Sequence, residues 1–340
     1  NAMDSRKKIA HVVISRDGSL VAAGFLGDDF ISLLDVHRNC LNILREPLRC
    51  IESLSISDDG RLLASGWENG KIILWDVSGE RIAEWEGHPF GVSCLAISPD
   101  NTLLISGDRE GVICLWEIAS RRLVWKSSGY QYRTRRVFFS PDGRIVVSLY
   151  DDDLLRVWRA NTGDHLWLEL YVKWAAFHPS RDRLAIVRPN AVLMRTLSDK
   201  GLWWWEDGNW GKSLVAFSPD GSLLAVGSNF GYVTVLDAEK GKTLLKMRGL
   251  KGYIPCCLFF SRQWLAVAGH VGGNVGLVQV FSTETGKCLW ERMFPKSSSI
   301  ICLGAFSDGV GEEQLISVDQ YGVVAVWDVS DGSMLWLTQL

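Results

Sequence analysis

Residues 57–76 decide the fold. They run Ser57-Asp-Asp-Gly60, then Leu62-Leu-Ala-Ser-Gly66, then Trp75-Asp76. Asp bonds its own backbone in a turn and Gly tolerates the turn exit. An apolar run of four or five residues bounded by such turn residues is a strand. Working outward, the same turn recurs as Ser15-Arg-Asp-Gly18, Ser98-Pro-Asp-Asn101, Ser140-Pro-Asp-Gly143, His178-Pro179, Ser218-Pro-Asp-Gly221, Ser261-Arg262 and Ser307-Asp-Gly309. The first residues of successive turns are separated by 42, 41, 42, 38, 40, 43 and 46 positions. A fixed period of this size marks a repeat architecture.

A second marker follows each turn by about 17 residues. It reads Leu34-Asp35, Trp75-Asp76, Trp116-Glu117, Trp158-Arg159, Arg195-Thr196, Leu236-Asp237, Phe281-Ser282 and Trp327-Asp328. A third lies nine or ten residues further on: Trp85, Trp125, Trp167, Trp204, Trp290 and Trp336, with Leu44 and Leu245 in the other two repeats. These positions assign most tryptophans to packing and leave Trp67, Trp174, Trp203, Trp205, Trp210 and Trp264 over. Strand alternation sends Trp203 and Trp205 opposite to Trp204. They read either as an exposed aromatic patch or as filling for a short, Trp-less repeat, and the second reading is preferred.

With Gly87-His88, these turns and Trp-Asp pairs resemble the WD-repeat β-propeller family over residues 9–340. The resemblance implies an all-β, eight-bladed propeller of four-stranded antiparallel blades, each about 42 residues long. Seven blades would need about 48 residues each, longer than the family's period. Both termini then complete whole repeats, and the expected ring closes by packing of blade one on blade eight without strand exchange. Residues 1–8 are set apart as a tag remnant (Asn1-Ala2 before Met3) and a short extension. The resemblance also implies a structural tetrad, best matched in repeat three by His88, Ser106, Glu110 and Trp116. Repeat two keeps Ser65, Asn69 and Trp75 but has Pro47 in place of the His. Repeat four keeps Ser148, Asp152 and Trp158.

The chain has 340 residues, with 36 Lys+Arg against 39 Asp+Glu and a net charge of −3, so a global nucleic-acid binder is disfavoured. Hydrophobic residues make up 47% and charged residues 22%, a globular balance and not a disordered one. No run approaches 18 apolar residues, so no transmembrane helix is expected. Cysteines 40, 50, 94, 114, 256, 257, 288 and 302 sit in apolar runs without Cys-x-x-Cys spacing. They read as reduced thiols in a cytoplasmic protein, with a nuclear one not excluded, and no metal or cofactor is expected.

Catalytic patterns are weak. Gly241-Lys242-Thr243 imitates a phosphate loop, but Leu236 stands where the earlier glycine belongs and no helix follows. Glycine-rich 269–276 reads as an enlarged loop, and Asp151-Asp152-Asp153 as a solvated turn. The reading is therefore a monomeric, non-catalytic scaffold binding a protein or peptide. By family analogy, partners use the face of the d–a and b–c loops, an argument from fold and not from site. On that face the register gathers Arg109, Tyr132, Arg133, Arg135, Tyr171, Lys173 and Arg188 into one expected sector. Arginine binds carboxylate or phosphate bidentately, so an acidic or phosphorylated partner is expected. The alternatives are a propeller hydrolase with a metal in the central channel, and RNA binding through the Arg/Tyr loop.

Overall fold

The computed structural model describes residues 7–46, 50–208, 211–250, 254, 256–271, 275–294, 298–307 and 313–340. Residues 1–6, Pro47, Trp210, residues 272–274, Asp308 and Gly309, named above, lie outside the described residues. The described residues form thirty-two strands and no helix. The strands make eight four-stranded antiparallel sheets, each of four consecutive strands a to d. The fold is an eight-bladed β-propeller, and among the described residues no blade contains an exchanged strand.

The turns behave as their chemistry requires. In blade one, strand a (Ile9–Ile14) ends at Ser15, and strand b covers Leu20–Phe25. Ser15 Oγ donates to Asp17 Oδ1 at 2.6 Å and accepts the Leu20 N–H at 2.9 Å. Asp17 Oδ1 also accepts the Ser19 N–H at 3.1 Å. The pattern repeats at Ser98, whose hydroxyl donates to Asp100 at 2.6 Å and accepts the Leu103 N–H at 2.9 Å. The turn exit needs a left-handed residue, supplied by Gly60 at φ 66° and in blade three by Asn101 at φ 59°. Asn is the non-glycine residue that visits this region most readily.

The contacts divide the chain into two compact halves, residues 1–170 with Leu340, and residues 171–339. In the first half, blades one to four pack through three successive apolar clusters. Ile31, Ile51 and Trp67 join blades one and two; Ile72, Val92 and Trp116 join two and three; Ile105, Val137 and Trp158 join three and four. In the second half, Val192, Trp205 and Val226 join blades five and six, Val235 and Phe259 join six and seven, and Val280 and Trp327 join seven and eight. Strands b are buried along their length, as in Leu20–Phe25. Strands d are largely exposed, as in Cys40–Arg45. The core therefore lies between sheets, and the loops at strand ends remain to carry function.

Blade five corrects one expectation. Its packing tryptophan is Trp203, and Trp204 is 49% exposed. Trp203 Nε1 donates to Ala238 O at 3.0 Å. Trp125 and Trp290 do the same toward Ala160 O and Val329 O, at 2.7 Å each. In all three cases the acceptor lies two residues past the strand-c marker of the next blade. The shift arises from a turn one residue shorter before strand d (Gly201–Glu206): Arg195 pairs with Gly201, whereas Trp116 pairs with Leu123 and Trp158 with His165, one position further on. Trp205 is buried in the cluster with Val192 and Val226. Trp203 and Trp205 thus fill the core, as the compensation reading requires, while their neighbour faces outward.

Candidate functional site

Of the four residues expected to form a tetrad, His88, Ser106 and Trp116 lie together, and the acid beside them is Asp108. His88 Nδ1 donates to Asp108 Oδ2 at 3.0 Å, and Nε2 lies 2.7 Å from Ser106 Oγ. Trp116 Nε1 donates to the same hydroxyl at 2.9 Å. The acidic member is Asp108, the last residue of strand b, and not Glu110. Glu110 lies in the following turn and donates its backbone N–H to Asp108 Oδ1 at 2.9 Å. With every polar atom paired and both His88 and Asp108 side chains unexposed, this group is structural.

The position of Asp108 is filled differently elsewhere. In blade two it is Trp67, fully buried, whose Nε1 donates to Ser65 Oγ at 3.0 Å. Trp75 donates to the same hydroxyl at 2.9 Å. In blade four it is Tyr150, whose hydroxyl accepts from Ser148 Oγ at 3.2 Å, while Trp158 donates to Ser148 at 2.8 Å. In blade eight, Asp319 accepts from Ser298 Oγ, and Trp327 donates to Ser317 at 2.7 Å. The family resemblance drew attention to the turn residues Asn69 and Asp152, and missed these buried substitutes at the strand end.

Tyr150 in turn positions the loop between blades three and four. Its ring meets Tyr130 edge-on, with centroids 5.6 Å apart at 74°. The Arg156 guanidinium lies over the Tyr130 face, 3.5 Å from its centroid, a cation–π contact. The b–c turn of blade three presses on the same loop: a Cβ at Gly111 would lie 2.4 Å from Tyr130 O and 2.6 Å from Tyr132 O. Past the loop, Asp151 N–H donates to Arg133 O at 3.0 Å, and Ser93 Oγ donates to Thr134 O at 2.6 Å. The backbone on both sides of Arg133 is clamped, and the side chains of Tyr132 and Arg133 are exposed.

Of the first-half residues, Arg109 sits on that neighbouring turn, Tyr132 and Arg133 on the loop, and Arg135 in strand a of blade four (Thr134–Phe139). Two of the arginines are engaged within the protein. Arg109 is held by Glu52 through both Nε and Nη2 and lies 3.7 Å from Glu68. Arg135 pairs with Asp153 at 3.4 Å. Arg133 forms no ion pair among the described residues. Its charge is nonetheless felt. His11, in strand a of blade one, is lowered to about 4 by burial, by Arg136 and then by Arg133. Arg136 is itself lowered to about 10 by burial and Arg135.

In the second half, Tyr171 is 67% exposed and holds φ 62°, a left-handed conformation unusual for a bulky residue. Lys173 is exposed and donates its N–H to Val187 O at 2.8 Å. Arg188 opens the short b–c turn, with its N–H on Ala191 O at 2.8 Å and its guanidinium 5.5 Å from the Trp204 centroid. No cluster of three or more His, Cys, Asp or Glu suited to a metal occurs among the described residues. No helix among the described residues is long and apolar enough to cross a membrane. All eight cysteines are free thiols, and burial pushes Cys94 up to about 12.

Blades of this sequence pattern, with the Trp–Ser–His–Asp group in blade three, agree with comparisons to known proteins. The family described as "WD domain, G-beta repeat" matches residues 38–76 and 79–117. These two stretches carry the WD repeat. A second WD-repeat description, "Anaphase-promoting complex subunit 4 WD40 domain", matches residues 175–263. Among curated WD-repeat relatives, rat "Echinoderm microtubule-associated protein-like 2" is 35% identical over 106 residues, 30% of this chain and 16% of that protein. Zebrafish "Apoptotic protease-activating factor 1" is 24% identical over 61% of this chain and 16% of that protein. Human "Angio-associated migratory cell protein" is 24% identical over 48% of this chain and 39% of that protein. The WD-repeat chain thus spans well under half the length of these relatives. The computationally designed Ika8 protein superposes with a TM-score of 0.79 over 95% of this chain and 97% of its own, at 22% identity. That likeness bears on the fold alone.

Proposed function

We propose that this WD-repeat chain is a non-catalytic scaffold that binds a protein or peptide on its loop face and favours an acidic or phosphorylated segment. WD-repeat propellers commonly mediate protein–protein interaction, which supports the first part. The acidic preference rests on one observation: Tyr132 and Arg133 are exposed on a loop clamped by Arg156, Gly111 and Thr134. A clamped loop presents its side chains without an ordering cost on binding. An exposed arginine with no ion pair among the described residues is available for a bidentate contact with carboxylate or phosphate. Arg109 and Arg135, already held by Glu52 and Asp153, contribute less to binding than the sequence led one to expect. The cytoplasmic location, with a nuclear one as its alternative, stays part of the proposal.

The test is affinity capture with the wild-type chain and with an Arg133→Glu, Tyr132→Ala variant, followed by titration of the captured partner's acidic segment as a peptide. A charge-assisted contact of about 1.5–3 kcal/mol corresponds to a loss of about tenfold or more. Equal affinity of both proteins, with unchanged melting curves, would reject the loop as the site. Binding of a short RNA with steep salt dependence and loss in the same variant would support the nucleic-acid alternative instead.

A further inference from the structure

A cavity of about 250 Å³ in the second half is explained neither by the repeat nor by the loop around Arg133. It opens between blades five and six beside the b–c turn of blade six. Trp205 and Val226, both buried, form its apolar lining, and Phe230 and Tyr232, 63% and 39% exposed, stand at its edge. Asp207 borders it and is held between two lysines, Lys212 Nζ at 2.8 Å and Lys246 Nζ at 3.3 Å. Each ammonium also faces an aromatic ring: Lys212 is 5.0 Å from the Trp205 centroid and Lys246 is 5.6 Å from the Tyr232 centroid. Arg248 pairs in register with Tyr232, on the same side of the sheet as Lys246, and is exposed.

Size and charge together select an occupant. The cavity is smaller than the roughly 300–1,000 Å³ that encloses a cofactor or drug-sized ligand, and matches one side chain. Its lining is aromatic and aliphatic, the composition of an interface anchor pocket. Among the described residues, Asp207 is the single carboxylate of the lining; Lys212 and Lys246 both contact it, and the exposed Arg248 lies on the same side of the sheet as Lys246. The faces of Trp205 and Tyr232 already carry lysines, so a cationic guest meets like charge. We propose that this cavity anchors an acidic peptide: one side chain of leucine or phenylalanine size enters against Trp205, Val226 and Phe230, and flanking carboxylates meet Lys246 and Arg248. The inference rests on the protein-binding reading above and adds an anchor to it.

The experiment selects a displayed library of random dodecapeptides on the intact chain, then measures the enriched peptides as synthetic ligands. Enrichment of sequences with one Phe, Leu, Met or Trp flanked by Asp or Glu is expected. Such a peptide should bind about tenfold more weakly to Phe230→Ala and to Lys246→Glu, and about normally to Phe230→Tyr. Both residues are exposed at their tips, so the variants should keep the wild-type melting curve. Acidic peptides without an apolar anchor, lost on Arg133→Glu but retained on Phe230→Ala, would overturn the pocket and leave the loop reading standing. Basic sequences, or no enrichment, would overturn both.

Discussion

Asp108 Oδ2 accepts the His88 Nδ1 proton at 3.0 Å, while Asp108 Oδ1 accepts the backbone N–H groups of Glu110 and Val112 at 2.9 and 2.8 Å. One carboxylate therefore closes a turn and fixes a buried imidazole. Asp108→Ala would leave all three donors without it, and a buried unpaired donor costs about 1–3 kcal/mol. The expected loss in chemical denaturation is about 3 kcal/mol or more. Glu110→Ala should stay within about 0.5 kcal/mol. The reverse ranking would return the tetrad role to Glu110.

The tryptophan run in blade five yields a second ranking. Trp205 is 8% exposed and donates to Thr243 Oγ1 at 2.9 Å, whereas Trp204 is 49% exposed. Trp205→Ala should cost about 3–5 kcal/mol. Trp204→Ala should cost under about 1 kcal/mol. Thermal melts of the two variants decide it.

Gly221 sits under the ring of His178. Its φ is 72°, and a Cβ there would come within 2.3 Å of the imidazole. His178 Nε2 donates to Gly221 O at 3.1 Å, and its Nδ1 accepts the Ser180 N–H at 3.2 Å. Gly221→Ala therefore meets left-handed strain of about 1–2 kcal/mol plus displacement of the ring. A double mutant with His178→Ala should cost less than the sum of the singles, because the clash is counted once. Additive costs would show that ring and glycine act independently.

Stability should decline in acid before the carboxylates titrate. His11 has a folded pKa of about 4 against an ordinary 6.5, held down by burial, Arg136 and Arg133. Between those values the unfolded chain binds the extra proton, so stability is complete above pH 6.5 and is lost as pH falls toward 4. The loss at the acid end is on the order of 3 kcal/mol. His11→Leu should flatten the curve in this window. The turn carboxylates act lower: Asp100 is kept below its usual range by the Ser98 hydroxyl, against burial, and by Thr102. Burial lowers His165 and His178 in the same direction, so a His11→Leu curve that falls as steeply as that of the wild type between pH 6.5 and 4 would reject the assignment.

The sequence made the architecture readable because the turn chemistry is local. Ser98, Asp100 and Asn101 bond within five residues of one another, so their spacing is the structure. Positions that depend on register were harder. The packing tryptophan of blade five was displaced by one because the turn after Arg195 is one residue shorter than those after Trp116 and Trp158, and three adjacent tryptophans mask the difference. The tetrad acid was displaced by two because Asp108 belongs to a strand end and Glu110 to the turn beyond it. Trp67 and Tyr150 were invisible as its substitutes, since hydrogen bonding to Ser65 and Ser148 needs the folded column of side chains. The pairing of Arg109 with Glu52 joins residues 57 positions apart and has no sequence signal.

Each sheet is built from four consecutive strands, none borrowed from elsewhere in the chain. The sequence repeat matched at residues 38–76 is offset from this unit by one strand: it takes Cys40–Arg45 of blade one with the first three strands of blade two. A duplication or deletion of one repeat adds or removes a whole sheet and leaves no strand half-paired. Such a chain can change its number of sheets by a single genetic event, and each new copy can then drift at its loops while its turns keep the pairing intact.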